Sequence, residues 1–145
     1  NGFVVCRGQE FKPIRIHPSV DKYPMASYVA DGLIAATATG STAYALAVNG
    51  PIMPPETRNI LVVPVAPHLS FDRAVILGEG SCVTITINTS HDAVLSADGK
   101  ESVKMIDNDT VQVSSSAQNI QFIRFHDPGF FYRNLNRYMM QNPSV

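Results

Sequence analysis

The sequence has little cysteine: Cys6 and Cys82 are the 2 cysteines among 145 residues. They lie far apart and in no CxxC arrangement, so neither a zinc site nor a dense disulfide framework is supported. The 4 histidines show no i,i+4 pair and no HExxH spacing, which argues against a metal site as well. We therefore expect free thiols, no metal-binding residues in this chain, and a reducing, cytoplasmic setting.

Long apolar runs and an excess of charge of one sign are also missing. No apolar run approaches the ~20 residues of a membrane-spanning helix, and residues 1–15 lack the basic-then-apolar pattern of a secretory leader. The 11 Lys and Arg residues balance 12 Asp and Glu residues, the net charge is -1, and the basic residues are scattered. This removes the usual electrostatic reason to propose a nucleic-acid partner. We expect a soluble domain with no nucleic-acid and no membrane partner.

The size and composition are those of an ordinary globular domain. Hydrophobic residues make up 45% and charged residues 16% of the chain, so a folded domain with a buried core is expected over residues 1–145. The chain opens at Asn1 without an initiator Met, as a processed or excised piece would. We therefore expect further sequence upstream.

Short apolar or alternating segments, broken by turn residues, predict a mainly β fold. Ile14 and Ile16 alternate with polar residues, and so do Val83, Ile85 and Ile87, which predicts two half-buried strands. The continuous apolar run at 60–65 predicts a strand covered on both faces. Pro64 must then lie where the strand needs no hydrogen-bond donor.

The later half contains turn signals and a helical pattern. Turns are predicted at 78–81, 98–99 and 107–109, because Gly, Asn and Asp tolerate positive φ. The apolar pattern at 120–125 changes phase, which indicates either a bulge or a strand buried on both sides. After Gly129, Phe131, Leu135, Tyr138 and Met139 recur on one helical face and predict a terminal amphipathic helix.

The stretch from Asp31 to Ala47 carries the chemistry. An apolar strand leads through Thr39-Gly40-Ser41-Thr42 into helix formers, so a strand, a loop and a helix are predicted. Gly40 permits a close backbone approach, Ser41 or Thr42 can cap the helix, and free N–H groups in its first turn suit an anion or a nucleotide. These features alone also fit an ordinary capped helix with no ligand.

This stretch resembles the NAD kinase family pattern, in which an Asp-Gly strand start leads to Thr-Pro-Thr-Gly-Ser-Thr-Ala-Tyr. The match continues through 49–52, 63–68, 73–77 and 98–99, in the family's order and over nearly the whole chain. The resemblance implies the carboxy-terminal NAD-binding domain of that family. Its expected fold is a mainly β, β-sandwich-like domain with a short helix after the Gly-Ser-Thr-Ala-Tyr loop and a carboxy-terminal helix.

The resemblance also implies a set of site residues. Asn1 stands at the Asn of the family's Asn-Glu pair, whereas Gly2 replaces the Glu, whose side chain accepts hydrogen bonds from ribose hydroxyls. Ala38 replaces the usual loop Pro, and Asp98-Gly99 alone is most simply a hairpin turn. The implied NAD-binding residues are Asn1, Asp31, Thr42, Ala43, Tyr44, Ala47 and Asp98.

The function implied is transfer of phosphate from ATP or polyphosphate, with Mg²⁺, to the adenosine 2′-hydroxyl of NAD, which makes NADP. The family's catalytic carboxylate lies in a Gly-Gly-Asp-Gly-Thr motif that residues 1–145 lack, so we expect no catalytic residue here and no activity from this chain alone. Homodimers or tetramers are implied, in which one subunit's Tyr or Asp completes its neighbour's pocket. The alternatives are a non-catalytic dinucleotide-binding or oligomerisation module and a lipid kinase-like domain.

Overall fold

The computed structural model describes residues 1–69, 71–100 and 102–141, with side chains described as far as Arg137. The chain forms two compact units, one at Asn1–Ser115 and one at Ser116–Val145. The family resemblance and the turn pattern had predicted a β-rich fold, and the first unit confirms this. That one domain spans residues 1–145 stays a prediction.

The first unit contains antiparallel strands and a single short helix within its described residues. The helix, α1, is Tyr44–Ala47, and a 3-10 turn at Thr39–Thr42 precedes it. The strands, in chain order, are β1 Gly2–Arg7, β2 Ile14–Val20, β3 Tyr23–Pro24, β4 Tyr28–Ala30, β5 Gly32–Ala36, β6 Leu61–Val65, β7 Val75–Ile76, β8 Val83–Asn88, β9 Ala93–Ala97, β10 Val103–Met105 and β11 Thr110–Val113.

Two sheets form from these strands. The first has the order β10-β9-β1-β5-β6-β7, and the second has the order β11-β8-β2-β3, with β4 also paired to β2. In the first sheet β1 pairs with β5 and with β9, so strands from distant parts of the chain lie side by side. This pairing brings residues near 1, 36 and 98 to one end of the sheet.

The main core lies between the two sheets. Ile14 and Ile16 on β2 and Ile85 on β8 are fully buried there, together with Val5 and Leu33 from the first sheet. Along β2 and β8 the burial alternates with a period of two, as the sequence pattern predicted. The first unit is therefore a β-sandwich, in which alternate residues of β2 and β8 face the other sheet.

A second apolar layer covers the outer face of the first sheet. It contains Ile34 and Ala36 on β5, Leu61 and Val63 on β6, and the buried Met53 of the loop between α1 and β6. Because β5 and β6 are covered on both faces, their sequences are continuously apolar rather than alternating. The prediction of a deeply buried strand at 60–65 is thus confirmed. Pro64 lies within it, opposite Leu33.

The second unit differs in part from the sequence prediction. The helix predicted after Gly129 is present as α2, Phe130–Gln141, although the side chains of Tyr138 and Met139 lie outside the described residues. The strand or bulge expected at 120–125 is wrong. These residues form no regular element, and Ile120 and Phe125 are 84% and 90% exposed. The apolar pattern alone was not sufficient, because a strand also needs a partner for its backbone groups.

None of the helices in the described part of the chain combines the length and the apolar character that crossing a bilayer requires.

Candidate functional site

A cavity of about 240 Å³ lies on the outer face of the first sheet. Its floor is made where β9, β1 and β5 run side by side, by residues that alternate along these strands with the ones that face the sandwich core. The floor consists of two cross-strand rows: Ser96, Val4 and Ile34, then Asp98, Gly2 and Ala36.

Two residues of the second row, Gly2 and Ala36, have little or no side chain, and this gives the cavity its depth. Gly2 lies opposite Ala36 in the β1–β5 pairing, and a Cβ added at Gly2 would meet the Ala35 carbonyl oxygen at 2.9 Å. Real Cβ atoms do not approach a carbonyl so closely. The backbones of β1 and β5 therefore pack around a glycine at this position.

One wall of the cavity is the motif singled out in the sequence. Gly40, Ala43, Tyr44 and Ala45 line it. Ala45 is buried against the second apolar layer, whereas Tyr44 is 51% exposed. An aromatic ring at the edge of a small apolar cavity can stack on a planar ligand.

Gly40 makes a close approach, but to the protein rather than to an open ligand space. A Cβ at Gly40 would overlap the carbonyl oxygen of Asn1. The same carbonyl accepts hydrogen bonds from the Thr37 N–H at 2.9 Å and the Thr37 hydroxyl at 3.0 Å. Gly40 and Thr37 together hold Asn1 at the mouth of the cavity.

The expectation that Ser41 or Thr42 caps the helix is wrong, whereas binding of an anion or a nucleotide at its first turn stays a prediction. Helix α1 has one turn, and no side chain of the described residues caps it. The Ser41 hydroxyl instead donates to the Ala38 carbonyl at 2.6 Å and accepts from the Met53 N–H at 3.0 Å. The Thr42 hydroxyl donates to the Thr39 carbonyl at 3.2 Å. The hydroxyl groups are used to fold the turn, and Asn49, with a φ of 62°, and Gly50 end the helix early.

Asp98 lies at the other side of the cavity, in the predicted turn between β9 and β10. Its Oδ1 accepts a hydrogen bond from the Gly2 N–H at 2.9 Å, and the Asn1 amino group lies 3.0 Å from the same atom. The hydrogen bond from the Gly2 N–H, which is the largest cause, lowers the pKa of Asp98 below its usual value of 3.8. The carboxylate is therefore charged at neutral pH and faces the cavity.

Asp31 lies at the opposite end of β5 from the cavity. At roughly 3.3 Å per strand residue, five residues separate it from Ala36 by ~16 Å. Its Oδ1 lies 3.1 Å from Arg7 Nε and 3.9 Å from His68 Nε2, and the Arg7 guanidinium is stacked 4.7 Å above the Phe11 ring. Asp31 thus belongs to a separate polar cluster made of Arg7, Asp31 and His68.

The structure brings together four of the seven candidate residues from the sequence. Asn1, Ala43, Tyr44 and Asp98 line one cavity, whereas Asp31, Thr42 and Ala47 are not among its lining residues. Sequence reasoning missed the floor residues Val4, Ile34 and Ser96. Their position on the outer face follows from strand alternation only once the pairing of β1 with β9 is known, and the sequence carries no local signal for that pairing.

Among the described residues, no group of three or more His, Cys, Asp or Glu side chains is placed to hold a metal ion. Asp98 is the carboxylate among the cavity-lining residues, and the Gly2 N–H already binds its Oδ1. The residues present do not fit a magnesium site in this cavity.

The chain is similar in sequence to NAD kinases in each of two comparisons with known proteins. A family model described as the ATP-NAD kinase C-terminal domain matches residues 1–125. An NAD kinase of Chloroflexus aurantiacus is 39% identical over 135 residues, which cover 93% of this chain and 49% of that protein. An NAD kinase of Dehalococcoides mccartyi is 37% identical over 142 residues, 98% of this chain and 50% of that protein. The chain spans about half the length of the curated relatives it matches.

Two solved structures resemble the fold. One is the crystal structure of an NAD kinase from Archaeoglobus fulgidus in complex with ATP, with a TM-score of 0.71 and 26% identity over 79% of this chain and 45% of that one. The other is yeast NADH kinase complexed with NADH, with a TM-score of 0.72 and 27% identity over 100% of this chain and 42% of that one.

Proposed function

The chain belongs to the family of ATP-NAD kinase C-terminal domains, and from that premise we propose that it forms the NAD-binding half of an enzyme that phosphorylates the 2′-hydroxyl of NAD to NADP. The observation that carries the proposal is the cavity between Asn1, Asp98 and the Ala43–Tyr44 wall. It is the place where the family motif and a charged carboxylate meet on one face of the sheet.

The chemistry of the cavity suits one nucleoside part of a dinucleotide. Val4 and Ile34 offer an apolar floor to a planar base, and the half-exposed ring of Tyr44 in the cavity wall can stack on it. The charged Asp98 carboxylate can accept hydrogen bonds from ribose hydroxyls or a base amino group. Ligand pockets usually measure about 300–1,000 Å³, so a cavity of about 240 Å³ needs further walls to enclose the whole of NAD.

We propose that a second copy of the chain supplies one such wall, in a homodimer or tetramer. Asp31 lies ~16 Å from Ala36 along the strand and is not among the lining residues of the cavity in its own chain, yet the family resemblance assigns it to the dinucleotide. Both statements hold if Asp31 of one subunit reaches the cavity of another. Asp31→Asn should then weaken NAD binding, and sedimentation velocity should show a dimer or larger species. A purely monomeric protein with full NAD affinity would contradict this part.

Catalysis is assigned to residues that the chain does not contain. Phosphoryl transfer depends on a positioned carboxylate and on charge stabilisation of the donor phosphates, and Asp98 is already bound to the Gly2 N–H. In the proposal the donor, ATP or polyphosphate with Mg²⁺, is bound by the remainder of a full-length kinase. The 145-residue chain alone should make no NADP from NAD and ATP in a coupled assay. Robust NADP formation by it would overturn this assignment.

A non-catalytic dinucleotide-binding or oligomerisation module is the second candidate, and Gly2 is the observation that favours it. A glutamate at this position, which the family resemblance leads one to expect, would need β1 to move away from Ala35 and Ala36. The packing around Gly2 therefore leaves no room for that side chain without a shift of the strand. The two candidate functions are distinguished by adding this chain to a separately produced amino-terminal kinase domain. NADP formation should be restored if this chain is the NAD-binding half of a kinase, and should not be restored if it is a non-catalytic module.

Both candidate functions assume that the chain binds NAD, and calorimetric titration with NAD tests this. The wild-type chain should bind NAD at millimolar concentration or better, and Tyr44→Ala should weaken binding because it removes the stacking face. Tyr23→Ala is the matched control, since Tyr23 is an exposed tyrosine on β3 of the other sheet. If the wild type gives no heat with millimolar NAD, both candidate functions are wrong.

The proposed setting is the cytoplasm. The Cys6 and Cys82 thiols are free, as is usual in a reducing compartment.

A further inference from the structure

We propose that Ser41 is a positioning residue for the nucleotide cavity, through which the cavity wall is fixed to the loop that follows α1. The inference rests on the proposed function, because it concerns the same cavity. Ser41 is 0% exposed. Its hydroxyl donates to the Ala38 carbonyl at 2.6 Å and accepts from the Met53 N–H at 3.0 Å.

The Ser41 hydroxyl joins two segments that are 12 residues apart in the chain. Ala38 belongs to the turn that opens the wall, and Met53 belongs to the loop before β6. Both residues are buried in the apolar layer on the outer face of the sheet. In such surroundings an N–H or a carbonyl that loses its partner is costly, so this bond holds the two segments at a fixed separation.

The chemistry requires a small side chain that both donates and accepts. A hydroxyl does so with one atom, whereas an alanine would leave the Met53 N–H without that acceptor. The Ser41 N–H also bonds the Thr37 carbonyl at 2.9 Å, and the Thr37 hydroxyl in turn donates to Asn1. Ser41 therefore connects the loop at Met53 with the residue at the mouth of the cavity.

The wall residues follow directly from this turn. The Ala43 N–H bonds the Gly40 carbonyl at 3.1 Å, and the Ala45 carbonyl accepts from the Gly50 N–H at 2.8 Å. Tyr44 lies between these two anchored residues and is half-exposed, so the backbone of the wall sets the position and direction of its Cα–Cβ bond. A shift of the turn away from Met53 would move Ala43 and Tyr44 relative to the floor.

A residue that only stabilises the fold gives a different result from one that positions the wall. Loss of stability alone affects NAD binding only when a part of the protein is unfolded. Loss of positioning weakens binding even in fully folded protein, because the wall no longer meets the ligand at the same distance. Val83 provides the matched control: it is buried at 0% exposure in the core between the sheets, away from the cavity.

The experiment compares the 145-residue wild type, Ser41→Ala, Ser41→Cys and Val83→Ala at a temperature at which circular dichroism shows all four to be folded. NAD affinity is measured by calorimetry, and exchange of the Ala43, Tyr44 and Ala45 amides is measured by NMR. Ser41→Ala should weaken NAD binding about tenfold and speed exchange of the wall amides. Ser41→Cys, which retains a weak donor and acceptor, should lie between. Val83→Ala should lower the melting temperature yet bind NAD within twofold of the wild type.

Four results overturn the inference. If Ser41→Ala binds NAD as the wild type does, or if Val83→Ala loses as much affinity, Ser41 has a structural role only. If Ser41→Ala does not fold, the same comparison is made with Ser41→Cys, and wild-type affinity and exchange in that variant count against the proposal. If the wild type itself binds no NAD, the proposed function fails, and the role of Ser41 in it fails too.

Discussion

At residue 28 a tyrosine is buried among apolar side chains of the core between the sheets. Tyr28 is 0% exposed, and its hydroxyl has no hydrogen-bond partner among the described residues. Its ring packs against Phe71 with 5.7 Å between ring centres. Burial raises the pKa of Tyr28 from 10.0 to about 12. The buried hydroxyl of Tyr28 thus lowers the stability of the fold, whereas packing of its ring raises it.

Tyr28→Phe should therefore stabilise the chain by about 1 kcal/mol, because it removes a buried polar group without a partner and keeps the ring. Urea unfolding at pH 7 measures the change, with Tyr23→Phe on exposed β3 as the control that should stay neutral. The pH dependence gives a second check. The folded wild type keeps a proton that the unfolded chain releases above pH 10, so its stability is intact below pH 10 and falls as the pH rises towards 12. Tyr28→Phe should lack this fall; equal curves for the two proteins would contradict the assignment.

Gly40→Ala should destabilise the chain by about 1–3 kcal/mol, the usual cost of forcing atoms into a packed site. The new Cβ would overlap the Asn1 carbonyl, which Thr37 holds with two hydrogen bonds. Gly78→Ala is the matched control, because the nearest atom to a Cβ there is Ser81 Oγ at 3.6 Å. Urea unfolding should separate the two variants. Similar midpoints would mean that Asn1 moves aside freely.

The sequence predicted several of the cavity-lining residues but not their arrangement. Asn1, Ala43, Tyr44 and Asp98 came from the family motif and do line one cavity. The close approach at Gly40 was expected from its missing side chain, yet its partner, Asn1, could not be read from the motif. The buried role of Ser41 was missed because serine before a helix usually indicates a cap.

At the scale of elements, local patterns predicted the strands and tertiary pairing determined the site. The alternation in β2 and β8 and the apolar run of β6 were sufficient for those strands, because burial on one or both faces leaves a direct trace in the sequence. The placement of β1 between β5 and β9 left no such trace. At 120–125 the local pattern was misleading instead: the residues are apolar, but they have no partner strand and form no strand.

The turn between β9 and β10 should respond to acid through Asp98. Its lowered pKa means that the bond to the Gly2 N–H contributes stability above pH 3.8 and that this contribution is lost as the pH falls through the lower folded value. NMR titration of the Gly2 amide shift should show a midpoint below 3.8, and Asp98→Asn should abolish that step. A midpoint at or above 3.8 would show that the bond does not form in solution.

At the scale of the whole molecule, the first unit holds both sheets and both apolar layers. Every residue of the two core clusters lies before Ser116. Within the second unit, Ile120, Phe122, Ile123 and Phe125 are all exposed. Fold class and family could be predicted from sequence at this scale, because the motifs extend over nearly the whole chain. The division into two units could not, since it depends on how side chains pack.

A chain shortened to residues 1–115 should consequently fold by itself. Its thermal unfolding, followed by circular dichroism, should remain cooperative, with a melting temperature within about 5 °C of the full chain, a shift that corresponds to about 1 kcal/mol for a domain of this size. The control is a chain that ends at residue 105, which removes β11 from the second sheet and should lose cooperativity. Loss of cooperative unfolding in the 1–115 chain would show that the second unit is needed for the fold.

The bond between Gly2 and Asp98 joins residues 96 positions apart, so the cavity floor does not exist in a partly folded chain. A ligand of this cavity would bind the completed fold alone and would add RT ln(1 + [L]/Kd) to its free energy of unfolding, about 2.7 kcal/mol at a hundredfold excess over Kd. Even weak ligands would then register as a rise in melting temperature. Contacts between such distant residues form slowly during folding. A ligand present during refolding would therefore not speed formation of the site. It would only stabilise the molecules in which the site has already formed.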